Sequence, residues 1–191
     1  MIDRGMFRRT AFVLLTLLGT AGAAESPVYV GAQKCKMCHL KEYNAWAQSR
    51  MAKSFELLAP GVAAELKTAR DLDPKKDFRA DARCLACHTT GYGKPGGFVD
   101  LNKTPNLAGV QCEVCHGPGG TYTQKQYMSL QNKEYKRADL VRVGLTAEIT
   151  KEKCMTCHNA VNPFAPKDEE FDFEARKRQG VHPIAPLKYQ H

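Results

Sequence analysis

Four times in 191 residues a Cys-x-x-Cys pair is followed at once by histidine. The sites are Cys35/Cys38/His39, Cys84/Cys87/His88, Cys112/Cys115/His116 and Cys154/Cys157/His158, and together they use all eight cysteines and four of the six histidines. Two cysteines three apart with His next in line put all three groups on one face of a single turn. That is the signature of c-type haem attachment, with two thioethers to the porphyrin and one imidazole beneath the iron. Chance would produce four such coincidences with odds on the order of 10⁻⁶. Four disulfides would explain the even cysteine count but not the histidines. Zinc ribbons pair CxxC units yet need no His directly after the second Cys, and a thioredoxin-like redox pair would occur once. The tetrahaem reading therefore governs everything else in the chain.

The sequence opens with Arg4, Arg8 and Arg9, an apolar run over 11–18 and the small residues Ala21, Gly22, Ala23 and Ala24. This is the layout of a cleaved export signal, and the apolar run is too short to span a bilayer. The expected division is a signal peptide over 1–24 and a tetrahaem domain over 25–191. The expected location is periplasmic, with an extracellular one as the alternative. About 167 residues suit one domain. Four haems among them amount to roughly one per 40 residues, so porphyrin must form much of the core. The expected fold class is mainly α with extensive irregular loops, a single domain wrapped round a compact four-haem cluster.

The formal charge of +8 does not indicate nucleic acid. Residues 1–24 carry three Arg and one Asp, so +6 remains without them. Each ferric haem with its propionates contributes about −1, which brings the oxidised holoprotein near +2. The lysines are expected to balance propionates and to steer an acidic redox partner, and no stable membrane insertion is expected.

Periodicity predicts one long amphipathic helix over 40–58, a second piece over 62–71, and helices over 122–135, 147–154 and 171–179. Gly91, Gly93, Pro95, Gly96 and Gly97 predict a loop after the second site. The first cysteines are 49, 28 and 42 residues apart, so there is no fixed repeat.

The ligand on the far side of each iron decides what a haem can do. Outside the motifs stand only His182 and His191, and of the methionines only Met51 and Met128 are placed to reach round. His182 follows a helix and a glycine close to the fourth site and reads as a distal ligand. Met51 lies on the aromatic face of the first helix, where core packing is the simpler reading. His191 ends the chain and is left unassigned.

Beyond the motifs, the stretches YVGAQKCKMCH, LDPKKDF, CLACHTTGYGKPGGF, GVQCEVCHGPGG and NPFAP, and FDF followed by GVH, resemble the tetrahaem cytochrome c-554 family, over about 29–182. The resemblance implies a mainly helical domain round closely packed haems. It implies that His182 serves the last haem, on His158. The family's distal His for the third haem, on His116, falls at Met51, which makes Met51 a candidate ligand. The family's distal His for the first haem falls at Gln126, with Met128 two residues on. The second haem, on His88, is one the family leaves open, its free face covered by a Pro-Phe pair that matches Pro163 and Phe164, beside Asn162. The expected function is single-electron transfer between redox proteins. A small-molecule reductase, of the nitric oxide type, at the His88 haem is one rival, and a subunit of an extracellular haem filament is another.

Overall fold

The computed structural model describes residues 28–164 and 171–184. The expected signal peptide and its junction, Ala165, Pro166 and His191 lie outside them. Among the described residues the chain forms eight short α-helices: α1 Ala32–Lys36, α2 Leu40–Ala47, α3 Ala64–Thr68, α4 Ala82–His88, α5 Cys112–His116, α6 Arg137–Arg142, α7 Lys151–Met155 and α8 Phe173–Gln179. Two 3₁₀ turns, Glu56–Leu58 and Pro105–Leu107, and one antiparallel bridge between Thr89 and Ala108 complete the regular structure. The architecture is mainly α with long irregular connections, as the haem density of the sequence requires.

The helix expected over 40–58 stops at Ala47, where Gln48 N and Ser49 N turn to the carbonyls of Ala45 and Trp46 and the chain goes on in tighter turns. Met51 O accepts from Val110 N at 3.1 Å, and Ser54 O accepts from the His88 ring at 2.6 Å. Met51 O also accepts from Ser54 N at 3.2 Å, a tighter turn than a helical one. The piece expected over 62–71 shrinks to α3. Ala63 and Asp71 bracket it in left-handed conformation, with φ of 53° and 57°. Its Lys67 turns inward, only 3 % exposed, donates to Ala59 O at 2.7 Å and lies 5.4 Å over the Phe78 ring. The expected helix over 122–135 is a run of turns, since Asn132 Nδ2 takes the carbonyls of Gln126 and Tyr127. The helix α6 is not legible in the pattern. The last helix is as expected: Asp172 caps α8 by accepting from Ala175 N at 2.8 Å, and Gly180 ends it at φ 63°.

Phe55, Leu58, Phe78, Leu85, Phe98 and Leu107 form the core cluster, with Cys84, Tyr29 and Tyr92 packed against it. Phe55 and Phe98 meet with ring centroids 5.5 Å apart at 56°. Because Leu85 belongs to the second attachment turn, this cluster fixes α4 to the 3₁₀ turns. The loop over 91–97 folds under it. A Cβ on Gly97 would lie 1.8 Å from Gly91 O, so only glycine permits the crossing.

Phe98 is 2 % exposed, and truncating such a ring leaves a cavity. Phe98→Ala is expected to cost about 3–5 kcal/mol of holoprotein stability in urea unfolding. The exposed Val161→Ala control should stay within about 0.5 kcal/mol. A second prediction concerns acid. The Arg83 side chain, and after it the Arg83 backbone N–H, hold the Asp81 carboxyl down to about 2 against an ordinary 3.8. A folded value below the unfolded one stabilises fully above about pH 4 and fades as pH falls toward 2. Asp81→Asn should therefore lower the urea midpoint at pH 5 and lower it far less at pH 2.

Candidate functional site

Each motif occupies one helical turn, and each turn is closed by its own backbone. His39 N donates to Cys35 O at 2.9 Å and His158 N to Cys154 O at 3.0 Å. In the second motif Asp81 caps α4, which ends on His88. In the third, α5 starts on Cys112 and ends on His116. Gly117 follows at φ 84°, where a Cβ would lie 2.2 Å from Gly144 O, so the chain turns away at once.

Backbone and side-chain bonds bring the turns together. Gly31 N, just ahead of α1, donates to Glu113 Oε2 in the third motif at 2.7 Å. Gly109 N donates to His88 O at 3.1 Å, which joins the second motif to the lead-in of the third. The Cys112 thiol pushes Cys35 up and the Cys157 thiol pushes Cys87 up, each with burial second, while Cys35 and Cys87 hold Cys112 and Cys157 down. Burial first, then the Cys154 charge, raises Cys115. The third motif thus stands against both the first and the second.

The imidazoles are set by their surroundings. His88 Nδ1 lies 2.6 Å from Ser54 O. A carbonyl only accepts, so Nδ1 carries the proton and Nε2 is left free for iron. Ser54 is 8 % exposed, and its hydroxyl also accepts from Val110 N at 3.1 Å, tying the second motif to the lead-in of the third. Burial, then the charges of His182, His39 and Arg137, keep His116 below its ordinary range. His158 stacks on Phe171, centroids 4.5 Å apart at 24°, and burial followed by the Arg176 charge lowers it.

The candidate distal residues are placed unequally. Met51 stands against the third motif through its backbone bond to Val110, and the Trp46 indole holds the same residue by donating to Val110 O at 2.8 Å. The ring of His182 lies 6.1 Å from that of His116 at 27°. The resemblance pairs His182 with His158 instead. His182 Nδ1 is 3.0 Å from Pro183 O, which leaves Nε2 available. Met128 sits in the turns after the third motif, its N–H on Gln124 O at 2.9 Å. Asn162 donates from Nδ2 to Cys157 O at 3.2 Å and accepts from Phe164 N at 2.9 Å. The Asn162, Pro163 and Phe164 turn is therefore strapped to the fourth motif, and both ends of the Asn162 amide are engaged.

Sequence reasoning passes over Ser54, Gln111 and Glu113. Gln111 accepts from Ala32 N at 2.6 Å and donates to Asn106 O and Ala108 O, both at 2.8 Å. Glu113, only 1 % exposed, accepts from Val30 N, Gly31 N and Gly119 N at 2.6 to 3.1 Å. Burial, and next the Glu113 charge, push the Tyr29 and Tyr122 hydroxyls up. The visible signal for Glu113 is an acidic residue inside an attachment loop, the one such loop of the four that has it.

This donor set fits haem. All eight thiols are free, each pair shares a turn with an imidazole, and His88 offers Nε2. A family model described as cytochrome c554 and c-prime matches residues 34–117. Over 186 residues the chain is 34% identical to cytochrome c-554 of Nitrosomonas europaea, covering 90% of this chain and 77% of that protein. It is also 31% identical to the multiheme cytochrome MtrA of Shewanella baltica over 85 residues, 39% of this chain and 22% of the other. The fold matches the reduced state of cytochrome c554 from Nitrosomonas europaea with a TM-score of 0.73 at 31% identity, covering 85% of this chain and 88% of that one. The chain belongs to the cytochrome c554 family, and it is a multihaem c-type cytochrome that transfers electrons through covalently attached haem.

Proposed function

We propose that the protein is a periplasmic tetrahaem carrier that passes single electrons between redox protein partners. Four attachment turns in one chain carry this reading, with the third held to the first through Glu113 and to the second through Gly109 N on His88 O. When bound, each haem supplies a one-electron couple whose potential follows its axial ligands and burial. Residues 1–24 direct export, and 25–191 form the carrier domain. Cys35, Cys38, Cys84, Cys87, Cys112, Cys115, Cys154 and Cys157 make the thioethers, and His39, His88, His116 and His158 bind iron from the proximal side. No helix among the described residues is long and apolar enough to cross a membrane. Exposed Lys34, Lys36 and Lys41 flank the first attachment turn and steer an acidic partner.

Among the distal ligands, Met51 serves the His116 iron and His182 the His158 iron. Met51 is supported by its bond to Val110, two residues before Cys112. His182 is supported by its own segment, which packs on His158 through Phe171. The 6.1 Å between the His182 and His116 rings favours a second assignment, His182 on the His116 iron. Met128 serves the His39 iron. The His88 iron is open on its far side, with Pro163 and Phe164 as its cover. Reductase chemistry there finds no proton donor in Asn162, whose amide is already committed.

Thioether sulfur favours ferrous iron more than imidazole does. Met51→His should therefore lower one of the four midpoint potentials substantially in a spectroelectrochemical titration. Four unchanged potentials would remove Met51 as a ligand and give the His116 iron to His182. At the second site, carbon monoxide or nitric oxide should convert one high-spin haem in the optical and EPR spectra. Four low-spin haems inert to both gases would close the His88 site.

A further inference from the structure

Glu113 is the one charged residue among those described that is fully buried within an attachment turn. It stands between Cys112 and Cys115 and is 1 % exposed. Its Oε1 accepts from Val30 N at 3.0 Å and Gly119 N at 2.6 Å, and its Oε2 from Val30 N at 3.1 Å and Gly31 N at 2.7 Å. Every one of these contacts is a backbone N–H donating to a side-chain oxygen. Gly31 lies four residues before Cys35 and immediately precedes α1, which carries that cysteine. The carboxylate is therefore close to the first and third attachment turns together, while its hydrogen-bond partners are backbone amides.

We propose that Glu113 sets the potential of the first and third haems, those joined at Cys35/Cys38 and Cys112/Cys115: its buried charge favours ferric over ferrous iron and lowers both reduction potentials. The balance of each step is simple. One electron arrives and the iron falls from ferric to ferrous, while the side-chain oxygens of Glu113 keep their N–H partners. At the third haem the carboxylate opposes the rise that Met51 brings, so the two residues act against each other on one iron. The distance from solvent matters, since a buried charge is screened far less than the surface lysines. Glu113 depends on the carrier function only in that the four haems must be attached for it to act on them.

The test is Glu113→Gln in the holoprotein, titrated beside the wild type. Haem content by pyridine haemochromogen absorbance should be four per chain in both, which separates loss of attachment from loss of tuning. Two of the four midpoints should shift upward and two should stay. If no midpoint moves while the melting temperature falls, Glu113 is a structural clamp only, and the proposal is overturned. It is overturned equally if all four shift alike, as a general loosening would give. Should the variant fail to assemble, the wild type still decides. Reduced-minus-oxidised infrared spectra with ¹³C-labelled glutamate should show a carboxylate band, insensitive to deuterium exchange, that responds to reduction. A protonated carboxyl band appearing on reduction, or no such response, would overturn the assignment.

Discussion

The structure depends on one short ladder of hydrogen bonds, the set that fans out from residues 110–113. Val110 donates to Met51 O and to the Ser54 hydroxyl, and its carbonyl accepts the Trp46 indole. Gln111 N meets the Thr90 hydroxyl at 3.1 Å, and its side chain spans Ala32, Asn106 and Ala108. Glu113 gathers Val30, Gly31 and Gly119. Several of these partners, Ala32, Val30, Gly31 and Thr90 among them, flank other haem turns. A chain with short helices and no sheet among its described residues has few backbone ladders to orient its pieces, so side chains with several donors and acceptors take over that role. Leaving any one of those buried partners unpaired costs more than making the bond gained. No buried side-chain nitrogen or oxygen among the described residues lacks a partner.

The apolar core explains why such a ladder is needed. Nine hydrophobic side chains are buried among the described residues, and Met37, Leu40 and Leu130 are more than half exposed. A chain of this length that buried so little of itself would be marginal on protein contacts alone. Covalent haem supplies the missing apolar surface, and the CxxCH turns are where it is anchored. Attachment and folding are thereby one problem. The hydrogen bonds hold the turns in register, and the cofactor fills the space between them.

The attachment turns, the fold class and α8 are legible in the sequence because each is local. A CxxCH turn needs only its own five residues, and α8 carries its cap at Asp172 and its stop at Gly180. The long helix over 40–58 is not legible in its true form. Its aromatic periodicity is real, but the Met51 and Ser54 carbonyls leave the helix for Val110 and His88, and nothing within the segment announces partners 34 to 59 residues away. Glu113 escapes notice for the same reason: its donors lie some eighty residues earlier and just beyond Gly117. The distal residues fall between these cases. Met51 and His182 can be named from the sequence, yet which iron each faces depends on packing that brings His182 beside His116.

The third site shows why that packing matters for electron flow. Its turn is bonded to the lead-in of the first through Glu113 and Gly31, and its own lead-in is bonded to His88 of the second through Gly109, which makes it an inner position. A sulfur ligand alone would make such an inner position an electron trap, since a high potential flanked by lower ones holds what it receives. A buried carboxylate in the same attachment turn works in the opposite sense, and it reaches the first site as well. Under the proposed Met51 ligation, ligand and charge would act against each other at the third site. Tuning of this kind requires a residue that keeps its charge where water is excluded, and three backbone N–H groups converging on one side chain provide that.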